Sequence, residues 1–285
     1  MPSTPWTKPD TTTRPIAVIG AGVMGRRISM MWVAAGYTVI LCEKAVGSYD
    51  PALEFINGNK DQQAAKMGTK PAQVKVTASM QEAVEKAWMV IEAVPEKLDM
   101  KIEILGQIDR LAPADCIIAT NSSSLRSSQM LAQTEKNYRI CNGHYYMPPE
   151  QTYYEVMSCG HTDPDIFPFL MEKATTAGFQ PVHAKKESTG LVFNRIWAAI
   201  KRECLLVMAD GVSDARTIDD MFMSWFKAAK GPCQMMDTVG LDTVYNIEVV
   251  YQQQLGLDPR AKDWLKAAYV DKGNLGAKGG KGLLG

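Results

Sequence analysis

The stretch from Gly143 to Val156, GHYYMPPEQTYYEV, contains a histidine and a carboxylate that could share a proton. His144 ends an apolar run, and Glu155 lies in a second short run with the composition of a strand. Histidine is the side chain that can gain or lose a proton near neutral pH without help. A carboxylate folded back onto the ring would select its tautomer and stabilise its charged form. The local pattern is equally typical of a hydrogen-bonded histidine with no catalytic role.

A glycine-rich loop upstream of this stretch has the spacing of a dinucleotide-binding turn. Residues 20–25 read GAGVMG, follow the apolar run PIAVIG and open a segment with helical periodicity. Gly20 permits the tight turn, Gly22 lets the backbone approach a pyrophosphate, and Gly25 allows close packing of helix on strand. Val23 and Met24 begin the helix, whose N-terminus favours phosphate charge. This context favours cofactor binding over a purely structural turn.

An acidic residue at the end of the second strand-like run bears on the choice of cofactor. Glu43 lies 23 residues after Gly20, where a carboxylate can accept hydrogen bonds from ribose hydroxyls. The same carboxylate repels a 2′-phosphate, so we expect NAD rather than NADP, although the adjacent Lys44 keeps NADP open. A cofactor that carries hydride leaves the protein to carry the proton, which favours a catalytic role for His144.

Two further polar groups lie where a ligand could be contacted. The segment TNSSSL, residues 120–125, follows an apolar strand-like run, and such positions at the carboxyl ends of parallel strands place ligand contacts. The alternative is a serine-rich cap for the next helix. Asn194 lies in the first turns of an otherwise apolar helical pattern, where it either satisfies nearby backbone or faces a ligand.

The alternation of strand-like and helix-like runs predicts a Rossmann-type doubly wound α/β sheet over residues 14–186. After residue 186 strand-like runs become scarce, and an all-helical C-terminal domain is expected over residues 187–285. Its helices are predicted at residues 189–210, 218–229, 238–254 and 261–270. Residues 1–13, rich in proline and threonine, are expected to form a disordered tail.

The composition excludes several classes of protein. The 285 residues include 31 basic and 31 acidic side chains and no basic block, so neither nucleic acid nor an anionic membrane is an expected partner. No apolar run approaches the roughly 18 residues needed to span a bilayer. The six cysteines form no CxxC pair, which predicts buried reduced thiols, no metal site and a cytoplasmic location.

Five segments in this order and spacing resemble the 3-hydroxyacyl-CoA dehydrogenase family, which includes the lambda-crystallin / L-gulonate 3-dehydrogenase branch. They are GAGVMG, EAVPEKLDMK, TNSSSL, GHYYMPP with its following Glu155, and TGLVFNR. The resemblance covers Pro15 to Asp271, nearly the whole of the chain.

The resemblance implies a role for each matching side chain. His144 would be the catalytic base that takes the hydroxyl proton, and Glu155 would orient its ring and stabilise the imidazolium. Ser123 would hydrogen-bond the substrate oxygen, and Asn194 would help bind the reacting end of the substrate. The helical domain would bind substrate and form a homodimer.

The resemblance also assigns residues to the cofactor. Glu96 and Lys101 match positions that line the cofactor site, and Asn121 matches a position close to the nicotinamide. The implied reaction is the NAD-dependent interconversion of a 3-hydroxyacyl-CoA and a 3-oxoacyl-CoA. A free 3-hydroxy acid such as L-gulonate, or a specialised biosynthetic reduction, is the alternative, and a crystallin-like dinucleotide-binding protein without catalysis is a third.

Four features depart from the family pattern. Met147 stands where the family usually has asparagine, and a thioether donates no hydrogen bond. The connection from His144 to Glu155 is a residue shorter than usual. The segment between Glu43 and Val74 is shorter than the helical hairpin that helps to hold CoA in fatty-acid-oxidising members. The family's closing GxGFY-like end is GKGLL here.

Overall fold

The computed structural model describes residues 6–285, apart from the side chain of Val46, and divides into two compact units. The first unit ends at Leu191 and the second comprises Val192–Gly285. The division therefore falls later than the boundary expected after residue 186. Leu191 packs with Met157 and Ala184, two residues of the sheet, and this contact keeps the intervening segment with the first unit.

One eight-stranded sheet forms the frame of the first unit, in the order β3-β2-β1-β4-β5-β6-β7-β8. The strands are β1 Ile16–Ile19, β2 Val39–Cys42, β3 Val74–Thr77, β4 Met89–Glu92, β5 Ile117–Thr120, β6 Ile140–Tyr145, β7 Tyr153–Ser158 and β8 Gln180–Ala184. All neighbouring strands are parallel except β6 and β7, which pair in an antiparallel hairpin. The predicted doubly wound sheet is confirmed, and its reversal of strand order at β1 and β4 is where such folds bind dinucleotides.

Helices cover both faces of this sheet, which is why its central strands are apolar on both sides. They are α1 Val23–Ala34, α2 Tyr49–Met67, α3 Met80–Val84, α4 Leu98–Leu111 and α5 Ile166–Thr176. One core contains Trp32 and Trp88, and the other contains Leu105 and Ile108. The segment between β2 and β3, which is shorter than the family's helical hairpin, forms one long helix, α2.

The expectation of a disordered tail is wrong for residues 6–13. Trp6 is buried, its ring packs edge-on against Phe169 at 5.3 Å, and its Nε1 donates to the carbonyl of Asp115 at 2.8 Å. Its backbone N–H also donates to Asp163. The packing and hydrogen bonds of Trp6 therefore hold this segment against the first unit despite its polar composition. Residues 1–5 lie outside the described part of the chain.

The second unit is helical, as predicted. Its helices are α6 Phe193–Ala209, α7 Ala215–Phe226, α8 Pro232–Val239, α9 Leu241–Leu255 and α10 Arg260–Ala268. The single helix expected over residues 238–254 is instead divided at Gly240, whose φ of +105° no helix contains. The first helix begins at Phe193 rather than Thr189, because Gly190 and Leu191 adopt positive φ.

The end of the chain is held against the second unit by one carboxylate. Asp237 accepts hydrogen bonds from the backbone N–H groups of Leu283 at 2.8 Å and Leu284 at 3.1 Å. Leu283 itself is buried, so the glycine-rich C-terminus is docked rather than a loose tail. All six cysteines are free and buried, as predicted. Within residues 6–285 no helix is both long and apolar enough to cross a membrane.

Candidate active site

The glycine-rich loop joins β1 to α1 in the conformation that its sequence predicts. Gly20 has φ of +105°, and a Cβ there would lie 2.8 Å from the carbonyl oxygen of Ala93. A Cβ on Gly25 would collide with the carbonyl of Gly20. Beside Gly22, by contrast, a Cβ would have no neighbour within 4 Å, so there is open space at the N-terminus of α1. The loop therefore has room for a phosphate at a helix end that favours negative charge.

Glu43 faces this loop from the carboxyl end of β2. Its Oε2 accepts from the N–H of Ala21 at 3.0 Å, and its Oε1 accepts from the N–H of Ala45 at 3.0 Å. The carboxylate is therefore held beside the glycines, where the predicted ribose contact requires it. Lys44 is exposed.

A buried ionic cluster lies at the carboxyl end of β4, and the sequence did not indicate its centre. Glu92 is fully buried and accepts from Lys101 Nζ at 2.8 Å, from the N–H of Val94 at 2.7 Å and from Thr120 Oγ1 at 2.5 Å. Lys101 is only 1 % exposed. The available sequence signal for this ion pair was Glu92 at the end of an apolar strand, nine positions before Lys101. The Lys101 ammonium is thus held by protein groups, and its place in the cofactor site remains a prediction.

Glu96 connects this cluster to the serine loop. Its Oε2 lies 3.4 Å from Lys101 Nζ. Its Oε1 accepts from Ser122 Oγ at 2.6 Å, from the N–H and Oγ of Ser124 at 3.0 and 2.9 Å, and from the N–H of Ser123 at 3.2 Å. Burial acts to raise the pKa of Glu96, but Lys101 and the serine hydrogen bonds outweigh it and lower the pKa. Glu96 is thus a stable anion around which the loop folds.

The three serines consequently have different surroundings. The hydroxyls of Ser122 and Ser124 donate hydrogen bonds to Glu96. The Ser123 hydroxyl has no acceptor within residues 6–285, and only its backbone N–H contacts Glu96. The next helical turn, residues 127–133, has Arg126 rather than a serine at its N-cap. The alternative of a serine-rich helix cap is therefore wrong, and Ser123 is the serine with a hydroxyl available to a ligand.

Asn121 links the end of β5 to the strand that carries the histidine. Its Oδ1 accepts from the N–H of Tyr145 at 2.8 Å, and its own N–H donates to the carbonyl of Glu92 at 2.8 Å. The side chain therefore fixes the backbone immediately after His144. Asn121, which is expected near the nicotinamide, is therefore hydrogen-bonded to the strand that carries His144, the residue expected to handle the proton.

His144 and Glu155 are direct partners in the antiparallel pairing of β6 with β7. Directly opposed residues project from the same face of a sheet, so the pairing brings the two side chains together. Both are buried, with 7 % and 2 % of their surfaces exposed. Burial lowers the pKa of His144 to about 4, although the carboxylates of Glu155 and Glu96 act to raise it. The imidazole is therefore neutral in this state.

Tyr146 adds a third group that the sequence interpretation missed. Its hydroxyl donates to Glu155 Oε1, and its ring packs edge-on against His144 with centroids 4.7 Å apart. Within residues 6–285, Nδ1 of His144 is buried without a hydrogen-bond partner. Alternation of side chains along extended backbone could have indicated Tyr146, because a residue two positions after His144 projects to the same side.

The turn between β6 and β7 contains the methionine that departs from the family pattern. Met147 is 43 % exposed. The residues after it are held by Arg27 of α1, whose Nη1 donates to the carbonyl of Pro148 at 2.7 Å and to Glu150 at 2.6 Å. The helix that begins at the glycine loop therefore also fixes the turn that follows the histidine.

Asn194 belongs to the second unit, in the first turn of α6, and is partly exposed. Its position at the beginning of that helix agrees with the sequence pattern. Its assignment to the substrate remains a prediction.

Comparisons with known proteins cover nearly the whole chain. Residues 15–188 match the family described as "3-hydroxyacyl-CoA dehydrogenase, NAD binding domain", and residues 190–284 match its C-terminal domain. A 3-hydroxybutyryl-CoA dehydrogenase of Clostridioides difficile is 28 % identical over 274 residues, which span 92 % of this chain and 96 % of the relative. A 3-hydroxyacyl-CoA dehydrogenase-like protein of Cochliobolus heterostrophus is 45 % identical over 146 residues, 50 % of this chain but only 31 % of that protein.

A solved structure described as "Substrate-directed dual catalysis of dicarbonyl compounds by diketoreductase" has the same fold over both units. It is 30 % identical, has a TM-score of 0.81, and the match covers 95 % of this chain and 98 % of that one. The first unit is thus an NAD-binding domain, and the glycine loop and Glu43 fit NAD. The chain belongs to the 3-hydroxyacyl-CoA dehydrogenase family of oxidoreductases.

Proposed function

We propose that this protein interconverts a 3-hydroxyacyl-CoA and a 3-oxoacyl-CoA with NAD as the hydride carrier. The observation that carries the proposal is the direct pairing of buried His144 with Glu155, beside a serine loop whose Ser123 hydroxyl is available. When bound, NAD would supply the hydride acceptor, and Gly20, Gly22 and Glu43 would hold it.

The residues of the chain would divide the remaining work. Neutral His144 would take the hydroxyl proton during oxidation, and Glu155 would stabilise the resulting imidazolium. Ser123 would donate to the substrate oxygen, and Glu96 would hold Ser123 in position through the loop backbone. Asn194 would bind the reacting end of the substrate.

The thioester substrate is supported by the Clostridioides relative, whose name specifies 3-hydroxybutyryl-CoA. A free 3-hydroxy or 3-oxo compound is the second candidate, and two observations favour it. The region between β2 and β3 forms the single helix α2, residues 49–67. The structurally similar diketoreductase is described as acting on dicarbonyl compounds.

A comparison of substrates tests the proposal. NADH oxidation would be followed with acetoacetyl-CoA, acetoacetate and a neutral 1,3-diketone, and NAD reduction with L-gulonate. We expect the highest kcat/KM with acetoacetyl-CoA. A higher value for any free compound would replace the thioester assignment. NADH binding without turnover of any of these compounds would contradict the proposed activity and favour the non-catalytic alternative.

We also propose that the protein is a homodimer. Helix α7 exposes Met221, Trp225 and Phe226, with 69 %, 84 % and 65 % of their surfaces accessible. Large exposed apolar side chains on one helix are typical of an interaction surface. Light scattering of the purified protein should give twice the mass of one chain, and a monomer at micromolar concentration would contradict this.

A reducing compartment such as the cytoplasm is the proposed location. The six free and buried cysteines support it, because disulfides are rare in proteins of reducing compartments. Fluorescence imaging of a tagged chain would test this assignment.

A further inference from the structure

The environment of His144 contains a group that the proposed reaction has not yet used. Tyr146 donates its hydroxyl proton to Glu155 Oε1, and its ring packs edge-on against the imidazole at 4.7 Å. The same phenol therefore contacts both members of the proposed proton-handling pair.

The hydrogen bonding of the three residues is uneven. The register places Glu155 directly opposite His144, yet Nδ1 of the histidine has no partner among the described residues, while Tyr146 donates to the carboxylate. A buried nitrogen without a partner is costly, and a carboxylate is its natural acceptor. The phenol occupies one of the oxygens that could serve that nitrogen.

We propose that Tyr146 is a positioning residue that shares Glu155 with His144 and thereby sets the basicity of the histidine. Its hydroxyl orients the carboxylate and takes up part of its negative charge, so the imidazolium receives less stabilisation. This inference rests on the proposed function, in which His144 carries the proton.

The charges around His144 determine the sign of the effect. Within the first unit, the neighbours of the ring are Glu155 from β7, Glu96 from the segment after β4, and Tyr146 from the turn directly after β6. Both carboxylates act to raise the pKa of His144, and burial lowers it to about 4. Replacing Tyr146 with phenylalanine keeps the ring contact and removes the hydroxyl. The full charge of Glu155 then acts on the imidazole, and the histidine becomes more basic.

Histidine NMR measures this basicity directly and without turnover. The chain has three histidines, His144, His161 and His183, so the ring Cε1–H signals can be resolved and the signal of His144 assigned from its loss in His144→Gln. In the unaltered protein the His144 signal should not titrate between about pH 5 and about pH 8. In Tyr146→Phe the midpoint should rise by about one pH unit or more.

The matched control is Tyr153→Phe, which removes the hydroxyl of a half-exposed tyrosine of β7, two residues before Glu155. It should leave the His144 midpoint unchanged. In a Glu155→Gln background, Tyr146→Phe should cause no further shift, because the hydroxyl acts through the carboxylate. An unchanged midpoint in Tyr146→Phe, or an equal shift in the control, would overturn the proposal.

The pH dependence of turnover separates this inference from the proposed function. In Tyr146→Phe the acid limb of kcat/KM for oxidation should move upward with the NMR midpoint, because oxidation needs neutral histidine. A uniform loss of activity at every pH would indicate a merely structural tyrosine. Should His144→Ala retain full turnover, the proposed mechanism would fail, while the NMR midpoint would still report on Tyr146.

Discussion

Lys101 Nζ lies 2.8 Å from Glu92 Oε1, and the two side chains are 1 % and 0 % exposed. Removing one partner of such a pair leaves an uncompensated charge in the interior, which is far more costly than the pair itself is stabilising. The same lysine also neutralises Glu96, which organises the serine loop. The pair therefore supports the architecture on which the proposed chemistry depends.

We predict that Lys101→Met lowers the free energy of unfolding of the protein by about 3–5 kcal/mol. Urea denaturation followed by circular dichroism would measure the loss. Lys97→Met, which alters an exposed lysine four residues earlier, is the matched control and should change stability by less than about 0.5 kcal/mol. Equal effects of the two substitutions would show that Glu92 is not dependent on its partner.

The low pKa of His144 predicts how stability depends on pH. The folded state holds this histidine neutral down to about pH 4, whereas an unfolded chain binds the proton near its ordinary pKa of about 6.5. The unfolded state therefore binds more protons between these values, and stability falls as the pH is lowered through this window. The titration of His144 should lower the free energy of unfolding by about 3 kcal/mol between neutral pH and about pH 4.

Unfolding free energies at several pH values would test this prediction. His144→Gln should have a shallower pH dependence than the unaltered protein, since the titrating group is gone. His161→Gln, which alters an exposed histidine, should retain the original slope. Parallel curves for His144→Gln and the unaltered protein would contradict the assignment.

Neighbouring serines should separate activity from stability. Ser123→Ala removes a hydroxyl with no acceptor among the described residues, so we expect kcat/KM to fall by about 100-fold with stability nearly unchanged. Ser122→Ala instead removes a buried hydrogen bond of 2.6 Å to Glu96 and should lower stability by about 1–3 kcal/mol. Steady-state kinetics and thermal melts on both variants would distinguish the two roles. Full activity in Ser123→Ala would exclude this serine from substrate binding.

The charge of Glu43 should determine the preference for NAD over NADP. Glu43→Gln keeps an acceptor for the N–H of Ala21 but removes the charge that repels a 2′-phosphate. The ratio of kcat/KM for NAD to that for NADP should fall by at least about 10-fold. Lys44→Gln is the control, and its effect should be opposite in sign, since a cation there favours the extra phosphate. An unchanged ratio in Glu43→Gln would place the discrimination elsewhere.

Local sequence patterns were sufficient to predict the frame of the site. The short apolar runs before Gly20 and before Glu43 are typical of buried strands, and the spacing of the glycines predicted a tight turn after the first of them. The local pattern already indicated Glu155 as a carboxylate that could fold back onto His144, the resemblance gave the pair a catalytic role, and the antiparallel register of β6 and β7 places the two residues opposite each other.

Long-range contacts explain what the patterns missed. Trp6 is ordered because it packs against Phe169, a residue more than 150 positions away that no local window includes. At the break between α8 and α9, a Cβ on Gly240 would lie 2.7 Å from the side chain of Lys278, a residue that is distant in the sequence. The role of Glu92 likewise emerges only when the ends of β4 and β5 are side by side.

The hold of Arg27 on Pro148 and Glu150 has a consequence for how this protein could diversify. Arg27 extends from the dinucleotide-binding helix, and the turn that it grips includes Met147, the residue that departs from the family pattern. Variation in α1 can therefore reshape the surface offered to a substrate without altering any residue that touches one. A laboratory search for new substrate ranges should accordingly randomise Arg27 together with Met147, because a change in the dinucleotide-binding helix would alter substrate selectivity through this turn.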